Sequence, residues 1–271
     1  MNRQAGIHST HADALFSRLV HFGMIPIGSH PAWHSVFELL AYVAGYAIYR
    51  RLRPPRPFAM DDTQQWTLLA ATSLGALLGC RLLALAEQWT TVLQAWQLGR
   101  LPALLVAPGG KTIAGAILGG WAGGALARRI TGNRSITGES LAIPLCYGIA
   151  IGRIGCLLAG LADDTYGIPA RLPWAVDLGD GIGRHPVQIY EMIFLVALAH
   201  LLGSKARCLE GARLHVFLAS YLCWRIAIDC FKPQPLIHHL GVIQWFCLAG
   251  VLLLLVNRAF SGRESHEQAT A

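Results

Sequence analysis

The chain has 271 residues, of which 54% are apolar and only 14% are charged, and its mean hydropathy is +0.45. Soluble globular proteins carry about a quarter charged residues, so this chain has too few to cover a surface that faces water. Several apolar runs approach or exceed the roughly 20 residues with which a helix crosses a bilayer. The composition therefore predicts an all-α, polytopic membrane protein and excludes soluble enzymes, fibrous proteins and disulfide scaffolds.

The net charge of +7 does not indicate a nucleic-acid partner. No basic run is interleaved with aromatic residues, and the arginines at 50, 51, 53 and 56 directly follow an apolar run, as on the cytoplasmic flank of a membrane helix. The seven cysteines show no CxxC or Cys/His ligand spacing, and most fall in apolar runs. We therefore expect no metal, nucleotide or redox cofactor.

The apolar runs predict seven transmembrane helices in chain order. They cover residues 33–49, 66–87, 112–127, 139–161, 186–203, 213–231 and 241–257. The third is short and rich in Gly and Ala, which allows close helix approach and predicts a buried position in the bundle. Residues 88–111 fit a helix at the membrane interface, and residues 162–185 form a polar loop long enough to be structured.

The basic residues predict the orientation and the domain limits. Twelve Lys and Arg residues fall in one alternating set of loops and seven in the other, so the N-terminus is expected outside and the C-terminus in the cytoplasm. This assignment gives a polar outer segment over 1–30, a single seven-helix domain over 31–258 with its outer loop at 162–185, and a cytoplasmic tail over 259–271. The membrane is expected to be the bacterial inner membrane.

Six charged residues lie within the predicted spans, all in the half nearer the outside. They are Glu38, Arg81, Arg153, Glu191, Arg225 and Asp229. Charges inside a bilayer are costly and mark either function or a buried pair. One interpretation is a set of structural ion pairs, which the i, i+4 spacing of Arg225 and Asp229 allows. The other is a lipid-headgroup site in which arginines bind a phosphate bidentately.

Two motifs favour the lipid site. Residues 152–156 read Gly-Arg-Ile-Gly-Cys near the outer end of the fourth span, and residues 184–191 read Arg-His-Pro-Val-Gln-Ile-Tyr-Glu at the start of the fifth. Residues 109–115 form a Gly-rich start to the third span, and residues 221–225 read Tyr-Leu-Cys-Trp-Arg, followed by Asp229. Together and in this order, over roughly residues 30 to 257, these motifs resemble the prolipoprotein diacylglyceryl transferase family.

The resemblance implies a transferase that moves the diacylglyceryl group of phosphatidylglycerol to the lipobox cysteine thiol in the signal peptide of a prolipoprotein. Glycerol 1-phosphate leaves. Arg153 and Arg225 suit the headgroup phosphate, and His185 suits a base that helps to deprotonate the thiol. On this interpretation the catalytic residues are His185 and Arg153. The substrate-binding residues are Arg225, Glu191, Gln188, Tyr190, Arg184, Tyr221, Asp229 and Gly155. Gln188 and Glu191 are candidates to orient His185 or to bind the glycerol.

The sequence departs from the family pattern at three places, which predicts a divergent member. The third span lacks the family's His, Cys156 replaces the Asn that commonly follows G-R-x-G, and the first span lacks a tyrosine after His34. His34 is a candidate replacement for a lost polar group, and Asp163 and Asp164 are candidates for a missing carboxylate. Cys156, beside Arg153, is either a packing residue or a nucleophile.

These departures leave two other functions open. The chain is alternatively a paralogue that transfers a lipid moiety to a different acceptor, or a non-catalytic lipid-binding membrane protein that kept the arginine pocket. The presence of Arg153 together with His185 favours an enzyme, whereas the missing third-span His favours these alternatives.

Overall fold

The protein is described here by a computed structural model. It covers residues 32–52, 62–100, 111–132, 138–163, 165–233, 237 and 239–270, with side chains described as far as residue 258. These residues form eight α-helices: α1 (Ala32–Leu52), α2 (Asp62–Glu87), α3 (Trp89–Gln97), α4 (Ile113–Thr131), α5 (Ala142–Ala159), α6 (Val187–Ser204), α7 (Arg213–Ile228) and α8 (Val242–Thr270). Seven of them lie on the seven predicted spans, and the short α3 lies in the predicted interfacial segment.

The contacts divide the chain into two compact units. The first comprises Met1–Leu52, Ile143–Ser204 and Phe231–Pro233, and the second comprises Arg53–Ala142, Lys205–Cys230 and Gln234–Ala271. The first unit thus holds α1, nearly all of α5, and α6, while the second holds α2, α3, α4, α7 and α8. The single domain predicted over 31–258 stays a prediction.

The helices fit a membrane protein by length and by composition. Among the described residues, four stretches are long and apolar enough to cross a bilayer: Thr63–Glu87, Glu139–Asp163, Val187–Ser204 and Arg213–Phe231. Val242–Arg258 is apolar but shorter. Large apolar side chains on α1 and α2 are exposed, such as Leu39, Tyr42 and Leu77. Exposed large apolar side chains in such number on each helix suit lipid rather than water.

In the second unit, α4 packs against α2 through glycines, as the Gly-rich third span predicts. A Cβ added at Gly119 would lie 2.2 Å from the carbonyl oxygen of Gly75, and one added at Gly79 would lie 2.3 Å from that of Gly115. A third such contact places Gly123 against the carbonyl oxygen of Ala71. The two backbones therefore touch, an approach that small residues alone allow.

Helices α4 and α8 extend furthest past the predicted C-terminal ends of their spans. Helix α4 continues through Arg128 and Arg129 to Thr131 and ends at Gly132, whose φ of 69° is the left-handed conformation common after a helix. Helix α8 continues to Thr270, so most of the predicted tail is helical. Charged residues end an apolar run without ending a helix, which explains both differences.

The polar loop of the first unit is structured, as predicted. After a 3-10 turn at Gly160–Asp163, two short strands, β1 (Val176–Asp177) and β2 (Gly183–Arg184), pair in antiparallel fashion. The Asp177 carboxylate accepts hydrogen bonds from the backbone N–H groups of Gly179, Asp180 and Gly181 at 2.8 to 3.1 Å. The Ile168 N–H donates to the carbonyl of Phe231, and the His185 N–H donates to that of Ile168. These bonds fix the chain where it enters α6.

Candidate active site

Arg153 and Glu191 form a buried ion pair in the first unit. Arg153 Nε lies 2.8 Å from Glu191 Oε2, and Arg153 Nη2 donates to Glu191 Oε1 at 3.0 Å. Arg153 is 5% exposed and Glu191 is 1% exposed. Glu191 thus contacts two nitrogen atoms of Arg153, one of them through a charge-assisted hydrogen bond, and this restricts the orientation of the guanidinium group. It joins the G-R-x-G motif on α5 to the R-H-P-x-Q-x-Y-E motif at the start of α6.

His185 lies immediately before α6, in contact with two aromatic residues. Its Nδ1 is 3.4 Å from the hydroxyl of Tyr190, which accepts a hydrogen bond from Trp174 Nε1 at 2.8 Å. The Phe231 ring packs on the imidazole at 4.8 Å between centroids. A Cβ at Gly167 would meet the His185 backbone at 2.3 Å, so the loop closes tightly on this residue. The sequence suggested Gln188 or Glu191 as the orienting group, but the hydroxyl at the ring belongs to Tyr190.

Gln188 lies on the first turn of α6 and is 2% exposed. Its Nε2 has no hydrogen-bond partner among the described residues. An amide N–H₂ group that is buried without an acceptor costs free energy, which a bound oxygen acceptor would recover. The geometry therefore leaves Gln188 able to bind a hydroxyl or ester oxygen.

Arg184 is the last residue of β2, and its side chain contacts Asp180 in the turn between the two strands. It forms an ion pair with Asp180, and its guanidinium lies 5.1 Å from the centre of the Tyr166 ring. The hydrogen bond from Arg184 lowers the pKa of the exposed Asp180 carboxyl. Arg184 is thus directed to the loop, whereas the sequence predicts that it binds substrate.

His34, Cys156 and Asp163 meet at one point of the first unit. His34 Nδ1 lies 2.9 Å from Asp163 Oδ1 and 3.8 Å from Cys156 Sγ. Arg153 Nη1 points to the same sulfur atom at 3.6 Å. Asp163 thus supplies a carboxylate close to Arg153, as expected from the departure after G-R-x-G, while Asp164 lies outside the described residues. The sequence did not predict that these three residues converge.

Gly155 is the contact that lets α5 approach α1 at this point. A Cβ added there would lie 2.8 Å from Phe37 Cβ and 3.2 Å from His34 Cα. The sequence predicts that Gly155 binds substrate, which stays a prediction. In the structure, Gly155 packs against α1 and thereby allows His34 to lie close to Cys156.

The second unit also contains a buried ion pair among its described residues. Arg225 Nη2, near the end of α7, lies 2.9 Å from Asp229 Oδ1 and 3.1 Å from Oδ2. The i, i+4 spacing predicts this contact. Tyr221, one turn earlier, is fully buried and stacks on Phe217. Gln244 Nε2 donates to the Ile226 carbonyl at 2.7 Å, which ties α8 to the end of α7.

The Gly-rich start of the third span is described only in part. Gly109 and Gly110 lie outside the described residues, whereas Thr112 and Ala114 are buried. Thr112 Oγ1 donates to the Cys80 carbonyl at 3.3 Å. A small apolar side chain therefore occupies the stretch where the resemblance leads one to expect a histidine.

Comparison with known proteins decides the family. The family described as prolipoprotein diacylglyceryl transferase matches residues 20–259, nearly the whole chain. This chain belongs to that family. A relative from Polynucleobacter asymbioticus is 30% identical over 245 residues, which cover 82% of this chain and 88% of that protein. Relatives from Geobacter sulfurreducens (26% over 231 residues, 82% and 83%) and Clostridium perfringens (29% over 244 residues, 84% and 92%) are similar over comparable lengths.

These relatives carry the name phosphatidylglycerol–prolipoprotein diacylglyceryl transferase, with the number 2 in Clostridium perfringens. Membership of this family confirms the resemblance drawn from the motifs. The roles of the individual residues stay predictions, because the names of relatives carry no information about side chains. The structure assembles part of the predicted set within each unit: Arg153 with Glu191 and Tyr190 with His185 in the first, Arg225 with Asp229 in the second.

Proposed function

We propose that this protein is a membrane transferase that moves the diacylglyceryl group of phosphatidylglycerol to the cysteine thiol of a prolipoprotein lipobox. Glycerol 1-phosphate is the leaving group. The observation that carries this proposal is the buried ion pair between Arg153 and Glu191, because it joins the two motifs most specific to the family. Relatives that are similar to this chain over most of their length are named for this reaction.

Each buried arginine is proposed to bind phosphate in a fixed orientation. The displacement builds negative charge on the departing phosphate, and a fixed guanidinium in a low-dielectric site stabilises that charge. Glu191 holds Arg153 through one hydrogen bond and a second ion-pair contact, and Asp229 holds Arg225 within a single helical turn. On this proposal the two carboxylates are positioning residues for the cations.

His185 is proposed to take the proton of the acceptor thiol. A general base acts through one ring nitrogen, and the hydrogen bond at the other nitrogen decides which one carries the proton. If Nδ1–H donates to the Tyr190 hydroxyl, Nε2 is the basic atom. The bond from Trp174 to the same hydroxyl supports this arrangement by holding the oxygen in place. Gln188 is proposed to donate to an oxygen of the glycerol backbone.

The test is transfer of labelled diacylglyceryl from phosphatidylglycerol vesicles to a lipobox peptide by the purified full chain. We expect activity in the wild type and a loss of about 10²- to 10⁴-fold in His185→Ala, the range for removal of a general base. Tyr190→Phe keeps the ring and removes the hydroxyl, so it should cause a smaller loss. His200→Ala, on α6 and outside the proposed site, is the matched control and should retain wild-type activity. Full activity in His185→Ala would exclude its role as base.

A second function is favoured by one observation, the buried Ala114 at the start of α4. If the family's histidine there is needed for the lipobox cysteine as acceptor, this protein transfers the lipid to another acceptor or only binds it. Under either alternative, the wild type binds phosphatidylglycerol but leaves the lipobox peptide unlabelled. Release of glycerol 1-phosphate without peptide labelling would indicate another acceptor, and no release would indicate lipid binding alone.

We also propose that seven helices cross the bacterial inner membrane, with the N-terminus outside. Seven helices on the predicted spans and the bias of basic residues support this orientation. Cysteine labelling tests it, with Cys208 or Arg171→Cys as the single cysteine. In spheroplasts an impermeant maleimide should label Arg171→Cys, and Cys208 should react only after lysis. Labelling of Cys208 in intact spheroplasts would contradict the proposed orientation and indicate the opposite one.

A further inference from the structure

His34, Cys156 and Asp163 have the composition and the spacing of a metal site. Their ligand atoms all lie within 4.8 Å of one another. Tetrahedral Zn²⁺ binds thiolate sulfur, imidazole nitrogen and carboxylate oxygen at about 2.0 to 2.3 Å, which separates the ligands by about 3.3 to 3.7 Å. The observed distances, 2.9 Å between nitrogen and oxygen and 3.8 Å between nitrogen and sulfur, lie close to these separations, and the sulfur and oxygen atoms, within 4.8 Å of each other, would move together on binding.

The surroundings of the three residues suit an ion with an open coordination position. Cys156 is buried, whereas the His34 side chain is 38% exposed and that of Asp163 is 11% exposed. The site is thus closed on the thiol side and open on the imidazole side. Three protein ligands with an open fourth position are typical of catalytic zinc, whereas structural zinc has four. Thr165 Oγ1 donates to the other oxygen of Asp163, which would hold the carboxylate in place as an outer contact of the ligand.

We propose that His34, Cys156 and Asp163 bind Zn²⁺ and that the open position takes the thiolate of the acceptor cysteine. This inference rests on the proposed function and departs from the cofactor-free protein that the sequence predicts. A thiol is a nucleophile as its thiolate, and coordination to zinc deprotonates it. The site would therefore activate the acceptor in a chain whose third span carries Ala114 in place of a histidine.

The transfer step balances with the metal unchanged. The acceptor thiol gives its proton to His185, the proposed base, as its sulfur binds Zn²⁺. A sulfur electron pair then attacks the diacylglyceryl carbon that bears the phosphate ester. The carbon–sulfur bond forms as the carbon–oxygen bond breaks, and the oxygen leaves with its electron pair on glycerol 1-phosphate. The phosphate takes up one proton, and Zn²⁺ keeps its oxidation state.

Metal content and cobalt spectra test the site without reference to activity. The full chain is purified in detergent, stripped with a chelator, incubated with Zn²⁺ or Co²⁺ and desalted. We expect about one zinc per wild-type chain and about a tenth of that or less in Cys156→Ala and in His34→Ala. Cys146→Ala removes another buried cysteine of α5 and should keep about one zinc, the wild-type value. The Co²⁺ form should show a thiolate-to-cobalt charge-transfer band that Cys156→Ala lacks.

Gly155→Ala is a second variant that retains all three ligands. Its Cβ would push against Phe37 and move α1 away from α5, so we expect at least a tenfold weaker affinity for Zn²⁺. Wild-type protein without bound zinc, or zinc binding that survives in Cys156→Ala, would overturn the proposal. Unchanged transfer after zinc removal would overturn the catalytic role of the metal and leave the proposed function intact. Zinc binding without any transfer to the lipobox peptide would confirm the metal site and contradict the lipobox cysteine as the acceptor.

Discussion

Replacing Arg153 by alanine should abolish transfer and also destabilise the first unit. The variant leaves the Glu191 carboxylate buried without its cation, and breaking a buried pair in this way costs about 3 to 5 kcal/mol. In the molecules that remain folded, loss of a fixed cation at the departing phosphate should lower the rate of transfer by about 10²- to 10³-fold relative to the wild type. Thermal unfolding in detergent and the transfer assay measure the two effects separately.

A charge exchange separates the structural role of this pair from its role in the reaction. Arg153→Glu combined with Glu191→Arg restores a buried ion pair between α5 and α6 but moves the guanidinium to the other helix. If Arg153 binds phosphate, the double variant should recover much of the lost stability and remain inactive. Recovery of activity along with stability would support the interpretation as a structural ion pair and contradict the proposed role of Arg153.

Substitution of Gly119 by alanine should destabilise the second unit by about 3 kcal/mol, the upper part of the range for overpacking. The added Cβ would lie 2.2 Å from the carbonyl oxygen of Gly75, and backbone cannot yield as a flexible side chain can. Helix α4 would therefore have to move away from α2 along its length. The expected result is a lower unfolding temperature in detergent, together with a new sensitivity of these helices to protease.

Gly120 is the matched control on the same helix. A Cβ there would lie 3.4 Å from Ala76 Cβ, which is ordinary contact. Alanine is also a better helix former than glycine by about 0.5 to 1 kcal/mol, so Gly120→Ala should be neutral or slightly stabilising. If both variants destabilise the protein equally, the contact between Gly119 and Gly75 is not what holds the helices together.

The spans were predictable because each corresponds to a single apolar run. The close packing of α4 was predictable because glycines in such a run let neighbouring helices approach closely. The pair of Arg225 and Asp229 follows from the period of one helix. The ends of α4 and α8 were not predicted, because a change from apolar to charged residues marks a possible membrane boundary and leaves the backbone free to continue. Local rules were therefore sufficient for the position of each span and for the ion pair within α7, but not for where a helix ends.

Contacts between distant segments needed the structure. His34 and Cys156 are 122 residues apart, and no sequence motif contains both of them. Arg153 and Glu191, 38 residues apart, were each predicted to be functional, but nothing in the sequence indicates that they pair. Tyr190 was expected to bind substrate, and its hydroxyl proved to be the group beside the imidazole of His185. Such pairings depend on how helices pack, which hydropathy does not determine.

The two buried ion pairs differ in when they can form during synthesis of the protein. Arg225 and Asp229 are four residues apart in one segment, so each neutralises the other as soon as that segment becomes helical and enters the lipid. Arg153 and Glu191 lie 38 residues apart on successive helices, so their pair can form only once α5 and α6 have packed together. Until then the fourth predicted span carries the Arg153 cation without Glu191 beside it. Its mainly apolar sequence offsets that cost, and the arrival of α6 completes the pair.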